Sequence, residues 1–328
     1  MDIRIEIYQE QKREKWEQFV SNEAINGTFQ QTRRFLDYHG TRFKDTSLIV
    51  YKGDSTIIAV IPACTIVSDH LKEFVSHAGS TFGGIVIGKN FYDIEHLENI
   101  MIALDAFFVE QKYDKVTMKL TGQIFSEQDM SLLYYFFFNH DYKGFMELSN
   151  YKNLKNCPDN ITEMFSSRKR RDYKYSLKNN MQFRQIYSDE DLKVFYNILC
   201  QNLKKFNSKP IHTWEELVDF KNIRLKNEVE FYGVFLNECM IAGSMIFLFG
   251  DKVFHTQYLA ADQDYLKHYP MEFLDANLIM TARARGFSDF SFGTSTHEQG
   301  KILNKHLAQF KEGFGTEFTL NYIFEKRY

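Results

Sequence analysis

Apolar residues over "LIVYKGDSTIIAVIPACTIV", Leu48 to Val67, form two β-rich runs that turn at Gly53-Asp54, and "STFGGIVIG" adds a third apolar stretch. The period then changes. Ile94, Leu97, Met101, Leu104 and Phe108 keep steps of three or four, which predicts a helix from Ile94 to Gln111, after which "KVTMKL" returns to a strand. The same grammar reappears in the second half. "EFYGVFLN", "MIAGSMIFLFG" and "KVFHTQYLA" read as strands divided by Asn237-Glu238 and Gly250-Asp251. A helix follows from Pro270 to Arg285, with proline at its first position and Gly286 just past its end, and "FSDFSFG" supplies the next strand.

Ahead of each set lie paired helical segments, "REKWEQFVSNEA" with "QQTRRFLDYHG" and "DEDLKVFYNILCQNLKKF" with "TWEELVDFK". Helices, an antiparallel meander, then strand, crossover helix and strand describe a mixed, mostly antiparallel sheet flanked by helices, an α+β plan used twice. The expected division is 1–160 and 161–328, with a linking helix candidate in "SEQDMSLLYYFFFNH" and a cleft between the halves as the ligand site.

The 328 residues are 44% hydrophobic and 16% aromatic, enough to fill one large core or two ordinary ones. The longest apolar runs stop well short of a membrane span, and "MDIRIEIYQEQKREKW" is too polar for a secretory signal, so a cytoplasmic protein with no transmembrane segment is expected. A net charge of −3 gives no global attraction to DNA, but "SSRKRRDYKYSLKNN" concentrates basic residues and tyrosines. Cys64, Cys157, Cys200 and Cys239 form no metal-binding or disulfide pattern. "GGIVIGKN" fits the spacing of a phosphate loop, but Ile85 to Ile87 belong in a strand and Asn90 stands where a magnesium-binding hydroxyl is needed. "HEQGKILNKH" lacks the spacing that puts two histidines on one helical face, so no metal is expected.

The order of elements, the ending "LDANLIMTARARGFSDFSFGTSTHEQGKILNKHLAQFKEGFG", the basic "SSRKRRDYKYSLKNN" and the earlier "GTFQQTRRFLDY" and "SHAGSTFGGIVI" together resemble the tandem GNAT-fold proteins of the Fem aminoacyltransferase group. They are also similar to acetyltransferase-like proteins found among cell-envelope polysaccharide genes. The resemblance implies two GNAT-like (acyl-CoA N-acyltransferase) domains, the first on the acceptor side and the second on the transfer side. It further implies transfer of an acyl or aminoacyl group to an amine of a glycan or peptidoglycan precursor. The implied donor is aminoacyl-tRNA or acyl-CoA, with no tightly bound cofactor. Two alternatives stay open: an acetyl-CoA dependent N-acetyltransferase, and a catalytically silent GNAT-like binding module.

In such folds a glycine-rich turn before the crossover helix lets coenzyme A pyrophosphate approach bare backbone. Here that turn is "ADQDYLKHYP". Asp262 and Asp264 would compete with an incoming pyrophosphate for the positive helix end, which leans toward a donor held in another way. In the first half, "GKNFYD" is friendlier to anions through Gly88 and Lys89.

Amine acylation needs a proton acceptor and a group that steadies the oxyanion. The resemblance matches Lys311, in "FKEGFG", to a family lysine with the electrostatic role. His255 and Gln257 lie on one face of their strand, with His255 the candidate base. Arg168, Arg171 and Tyr175 share a helical face suited to phosphate or tRNA backbone. Ser295 and Glu298 in one polar loop and His77 in another are candidate substrate contacts.

Overall fold

A computed structural model describes residues 2–205 and 207–328. The chain forms two compact units, one of Met1–Leu148, Thr296–Ile302 and Leu320–Tyr328, the other of Ser149–Ser295 and Leu303–Thr319.

In the first unit β1 (Ile3–Ile7), β2 (Leu48–Lys52) and β3 (Thr56–Ile61) form an antiparallel meander, with Ile5 opposite Val50 and Val50 opposite Ala59. A second set contains β4 (Cys64–Ser68) and β5 (Leu71–Ser76), which pair antiparallel. The helix α1 (Ile94–Glu110) then leads to β6 (Lys115–Lys119), which runs parallel to β5 with Val75 opposite Thr117. Asp93 caps α1 by accepting from His96 N, and Leu97, Ile100, Met101, Leu104 and Phe108 fill its buried stripe, as the spacing predicts. The apolar run read as a linking helix is α2 (Ser131–Asn139), and its Leu133, Phe136 and Phe137 serve this unit's own core.

Two readings change here. "STFGGIVIG" contributes only Val86–Ile87 as strand, because Gly84 at φ +60° holds the preceding segment in a loop. β5, "LKEFVS", was hidden by its charged pair. The long strand β7 (Lys143–Asn153) crosses the division at Leu148/Ser149 rather than near residue 160. The C-terminal strand (Glu317–Arg327) hydrogen-bonds antiparallel to β6, with Phe324 opposite Met118, which is why Leu320–Tyr328 counts with the first unit.

The second unit starts with α3 (Ser167–Ser176), β8 (Gln182–Gln185), α4 (Asp189–Lys204) and α5 (Trp214–Asp219). β9 (Val229–Leu236), β10 (Cys239–Phe249) and β11 (Val253–Ala261) follow as the predicted meander. The crossover helix α6 (Pro270–Ala284) leads to β12 (Asp289–Thr294), and α7 (Lys305–Glu312) comes later. The strands lie in the order β8-β9-β10-β11-β12-β7, with β11 and β12 parallel. Apolar side chains of β9, β10, β11 and β12 and of the inner face of α6 make one core around Phe254, Leu274, Leu278, Ile279 and Phe290. Each unit thus has the same plan, a meander and one parallel pair joined through a helix.

One buried cation fixes the exit of α7. Lys152, on β7 and 1% exposed, donates to the carbonyls of Phe314 at 3.1 Å and Gly315 at 3.0 Å. Gly315 is at φ +70°, and a Cβ there would lie 2.3 Å from Met164 O. Replacing Lys152 with Met leaves two buried carbonyls unpaired, and each such loss costs about 1–3 kcal/mol. Lys152→Met is therefore expected to lower the urea unfolding midpoint of the full chain, and an unchanged midpoint would show that the α7 exit holds without it.

Candidate active site

β11 and β12 hold together for only a short distance and then part. Their paired residues are Val253 with Asp289, Phe254 with Phe290 and His255 with Ser291, and just beyond Ser291 β12 slips register against β7. Two backbone carbonyls of β12 lie just past the last residue paired with β11. Lys311, on α7 and 3% exposed, reaches both: its Nζ donates to Gly293 O at 3.0 Å and Thr294 O at 2.6 Å. A lysine nitrogen bound in this way has one tetrahedral position left, an N–H when protonated and a lone pair when neutral. Burial pushes the Lys311 amine down to about 7, with Asp275 acting in the opposite direction. Both forms are therefore populated near neutrality.

Against this group lies His255. Gly293, at φ +70°, makes room for the imidazole, since a Cβ there would be 3.1 Å from His255 Cε1. The ring shares a hydrogen bond through Nδ1 with Ser291 Oγ at 3.0 Å and another with Gln257. Burial, and then the charge of Lys311, push His255 down to about 3. Its imidazole is neutral and a weak base at physiological pH. Of Lys311, matched from sequence to the electrostatic role, and His255, the candidate base, it is Lys311 whose proton affinity suits neutral pH.

The start of the crossover helix is already occupied by the protein's own charges. Asp262 accepts from Asp264 N at 3.1 Å and opens a 3-10 turn, Gln263–His268, and Tyr269 at φ +57° leads into Pro270. Glu272 sits in the first turn of α6, where a carboxylate is favoured by the helix end, and pairs with Lys169 Nζ at 2.6 Å. Lys169 in turn lies over the rings of Phe310 at 3.6 Å and Phe314 at 4.7 Å. It belongs to the buried face of α3, the same helix whose outer face carries the basic residues singled out from sequence.

On that outer face Arg168 and Arg171 both reach Asp172, at 3.6 and 3.2 Å, with their side chains 84% and 61% exposed. Tyr175 stacks on Tyr269 with ring centroids 5.9 Å apart, and Lys178 lies over Tyr175. The helical spacing does bring Arg168, Arg171 and Tyr175 to one side, with Asp172 neutralising part of their charge.

Other sequence candidates fall elsewhere. Ser295 is 1% exposed and gives its hydroxyl to Asn150 Oδ1 at 3.0 Å. Glu298, an exposed residue at φ +49°, belongs to the first unit although Ser295 belongs to the second. His77 is buried in the first unit, its Nδ1 against Ala78 O at 2.6 Å and its ring stacked 5.0 Å from His39, and burial lowers its pKa. Lys89 pairs with Glu127 at 3.1 Å, which offsets the charge expected to welcome an anion. Among the described residues no group of three or more His, Cys, Asp or Glu could hold a metal.

Asp275 was not read from the sequence. It occupies the apolar stripe of α6 beside Leu274 and Leu278, is 0% exposed, and among the described residues neither carboxylate oxygen has a hydrogen-bond partner. The signal was present in "MEFLDANLIM": an acid set among Phe273, Leu274, Ala276, Leu278 and Ile279.

Residues 167–306, which include α6, the parting strands and the loop before α7, match the family model described as the acetyltransferase (GNAT) domain. No curated protein matches the chain. The fold of the whole chain is that of tandem GNAT proteins. FemX is 12% identical and superposes with a TM-score of 0.71, covering 100% of this chain and 98% of that chain. L-PGS from Bacillus licheniformis is 13% identical with a TM-score of 0.59, covering 97% and 92% of the two chains. A tandem GNAT protein from the clavulanic acid biosynthesis pathway is 9% identical with a TM-score of 0.55, covering 99% and 98%.

Burying Lys311 has a signed consequence for stability. The unfolded lysine keeps its proton up to its ordinary value near 10.5, the folded one only to about 7, so between those values the unfolded state binds more protons and stability rises with pH. Below about 7 the full cost of the buried charge is present. Lys311→Met is expected to raise the urea midpoint at pH 6 and to flatten the rise in stability toward pH 10. A lower midpoint at pH 6 would mean that the two carbonyl bonds outweigh desolvation.

Proposed function

We propose that the chain is an acyltransferase that moves an aminoacyl group from an ester donor to an amine on a cell-envelope glycan or peptidoglycan precursor. The carrying observation is Lys311: a buried amine, fixed by two carbonyls where β11 and β12 part, that exchanges a proton near neutral pH. In the proposed reaction the attacking nitrogen's lone pair forms the C–N bond while the carbonyl π pair moves to oxygen. Neutral Lys311 takes the proton released by that nitrogen and becomes an ammonium beside the oxyanion. Collapse breaks the bond to the leaving oxygen, which carries away the bonding pair and takes the proton back from Lys311.

An aminoacyl ester is favoured over a coenzyme A thioester by the start of α6. Glu272, Asp262 and Asp264 gather negative charge there, and Lys169 is already engaged by Glu272. A pyrophosphate placed at that helix end would meet carboxylates within the first turn rather than open amides. The exposed Arg168, Arg171 and Lys178 offer phosphate contacts suited to a tRNA backbone instead. That the similar structures include FemX and L-PGS agrees with an envelope setting.

Transfer assays run in parallel with aminoacyl-tRNA and acetyl-CoA test the reading. Aminoacyl transfer is expected, with calorimetry detecting no tight coenzyme A binding; acetyl transfer alone would make the chain an acetyl-CoA dependent N-acetyltransferase, and neither would favour a silent binding module. Lys311→Met is expected to cut kcat by about 10²- to 10³-fold, on the scale of losing one transition-state group. The wild-type rate should climb as pH rises through about 7, since the neutral amine is the active form. Replacing Arg168 and Arg171 together with Gln should weaken tRNA binding and reduce its salt dependence, which a binding titration at several ionic strengths reads directly.

A further inference from the structure

Ser291 stands opposite His255 in the last residue pair that joins β12 to β11, and is 1% exposed. Just beyond it β12 bulges against β7. Tyr151 faces Ser291 and Asn150 faces Gly293, which leaves Phe292 as the extra residue. The Ser291 hydroxyl has two neighbours at this point: its Oγ accepts from Gly293 N at 3.2 Å and lies 3.0 Å from His255 Nδ1. The first contact pins the amide of a residue that runs at φ +70° and whose carbonyl takes a bond from Lys311 Nζ at 3.0 Å. The second decides the state of the imidazole.

A hydroxyl has one proton to give and two lone pairs with which to accept. The Gly293 amide can only donate, so it takes one lone pair. Among the described residues, His255 Nδ1 is the one acceptor that the Ser291 O–H meets. Were Nδ1 protonated, two N–H groups would point at a single oxygen and the buried O–H would go unpaired, at the full cost of its lost hydration. With the O–H given to Nδ1, each of these groups is paired and the ring proton stands on Nε2. The neutral ring that this requires agrees with the burial of His255 beside Lys311, which holds its pKa down to about 3.

We propose that Ser291 is a positioning residue that holds His255 as its Nε2–H tautomer and keeps the Gly293 carbonyl on Lys311. The histidine then offers an N–H at its other nitrogen rather than a lone pair, and proton acceptance falls to the lysine. The bearing on turnover rests on the acyl-transfer reading above; the tautomer and the backbone bond do not.

Nitrogen NMR reads the tautomer directly. In the full chain grown with 15N-histidine, the His255 signals are assigned by their loss in His255→Gln and recorded at pH 7.5. Wild type should show a proton on Nε2 and a bare Nδ1; a proton on Nδ1 overturns the proposal without recourse to any variant of Ser291. Ser291→Ala, checked for folding by circular dichroism and thermal melting, should populate both tautomers, whereas Ser291→Thr keeps the hydroxyl and the single form. In chain grown with ε-13C-lysine, with the Lys311 resonance assigned by its loss in Lys311→Arg, Ser291→Ala should also lower the Lys311 midpoint by about one pH unit. A carbonyl bond that favours the ammonium has then been loosened. A folded Ser291→Ala chain that keeps the wild-type tautomer or the wild-type midpoint overturns the proposal.

Ser244→Ala controls for general loosening of the sheet. Ser244 is also fully buried, on β10, and its hydroxyl donates to Tyr258 O at 2.8 Å, so both signals should stay as in wild type. Equal changes in that variant would mean loosening rather than positioning and would sink the idea. If transfer activity is found, Ser291→Ala should lower kcat by about 10- to 100-fold with KM near wild type, the mark of a misplaced reacting group. If Lys311→Met keeps full transfer while the NMR signals behave as stated, the positioning role stands and the catalytic reading falls.

Discussion

The central constraint in the second unit is a lysine amine held in the protein interior by two backbone carbonyls. Those carbonyls lie just past the last residues that pair β11 with β12, and Gly293, at φ +70° and without a side chain, leaves space for His255 against the same backbone. α7 must end where it does, and Lys152 secures that end from β7. Such an arrangement opposes folding at low pH, because removing an ammonium from water is costly. Proteins keep costly buried amines where the shifted proton affinity is used.

The start of the crossover helix shows a related economy of charge. A helix N-terminus is a ready anion site, yet here Glu272 occupies the first turn and Lys169 answers it. Lys169 also spans aromatic rings of α7 and its exit, so the same cation ties α3, α6 and the segment that presents Lys311. One face of α3 is thereby structural and the other is exposed and basic. The division within a single short helix separates scaffold from the surface proposed to meet a polyanion.

The proposed acyl transfer depends on the lysine rather than on the histidine named from sequence as the candidate base. In sequence His255 had the more familiar base, with an ordinary pKa near neutrality. In the folded unit both groups lose the advantage of water, and for both this disfavours the charged form. The shift carries histidine from near neutral to about 3, out of the useful range, and carries lysine from 10.5 to about 7, into it. The same physical effect reverses their roles.

Much of the architecture was legible along the chain. Periodicity identified α1 and α6, the latter with its proline start and glycine stop, the meander of the second unit and the repetition of one plan, because these depend on neighbours within a few residues. Arg168, Arg171 and Tyr175 were legible for the same reason, since helical spacing alone puts them on one side. Lys311 was found through resemblance, not through any local pattern. What tertiary structure alone decided was the membership of the final strand, the burial of Ser295 and the isolation of Asp275. Those outcomes rest on contacts between residues far apart in the chain, and the proton affinities of Lys311 and His255 rest on the exclusion of water by the packed whole. No spacing rule encodes desolvation, because it belongs to the finished core and not to any segment of it.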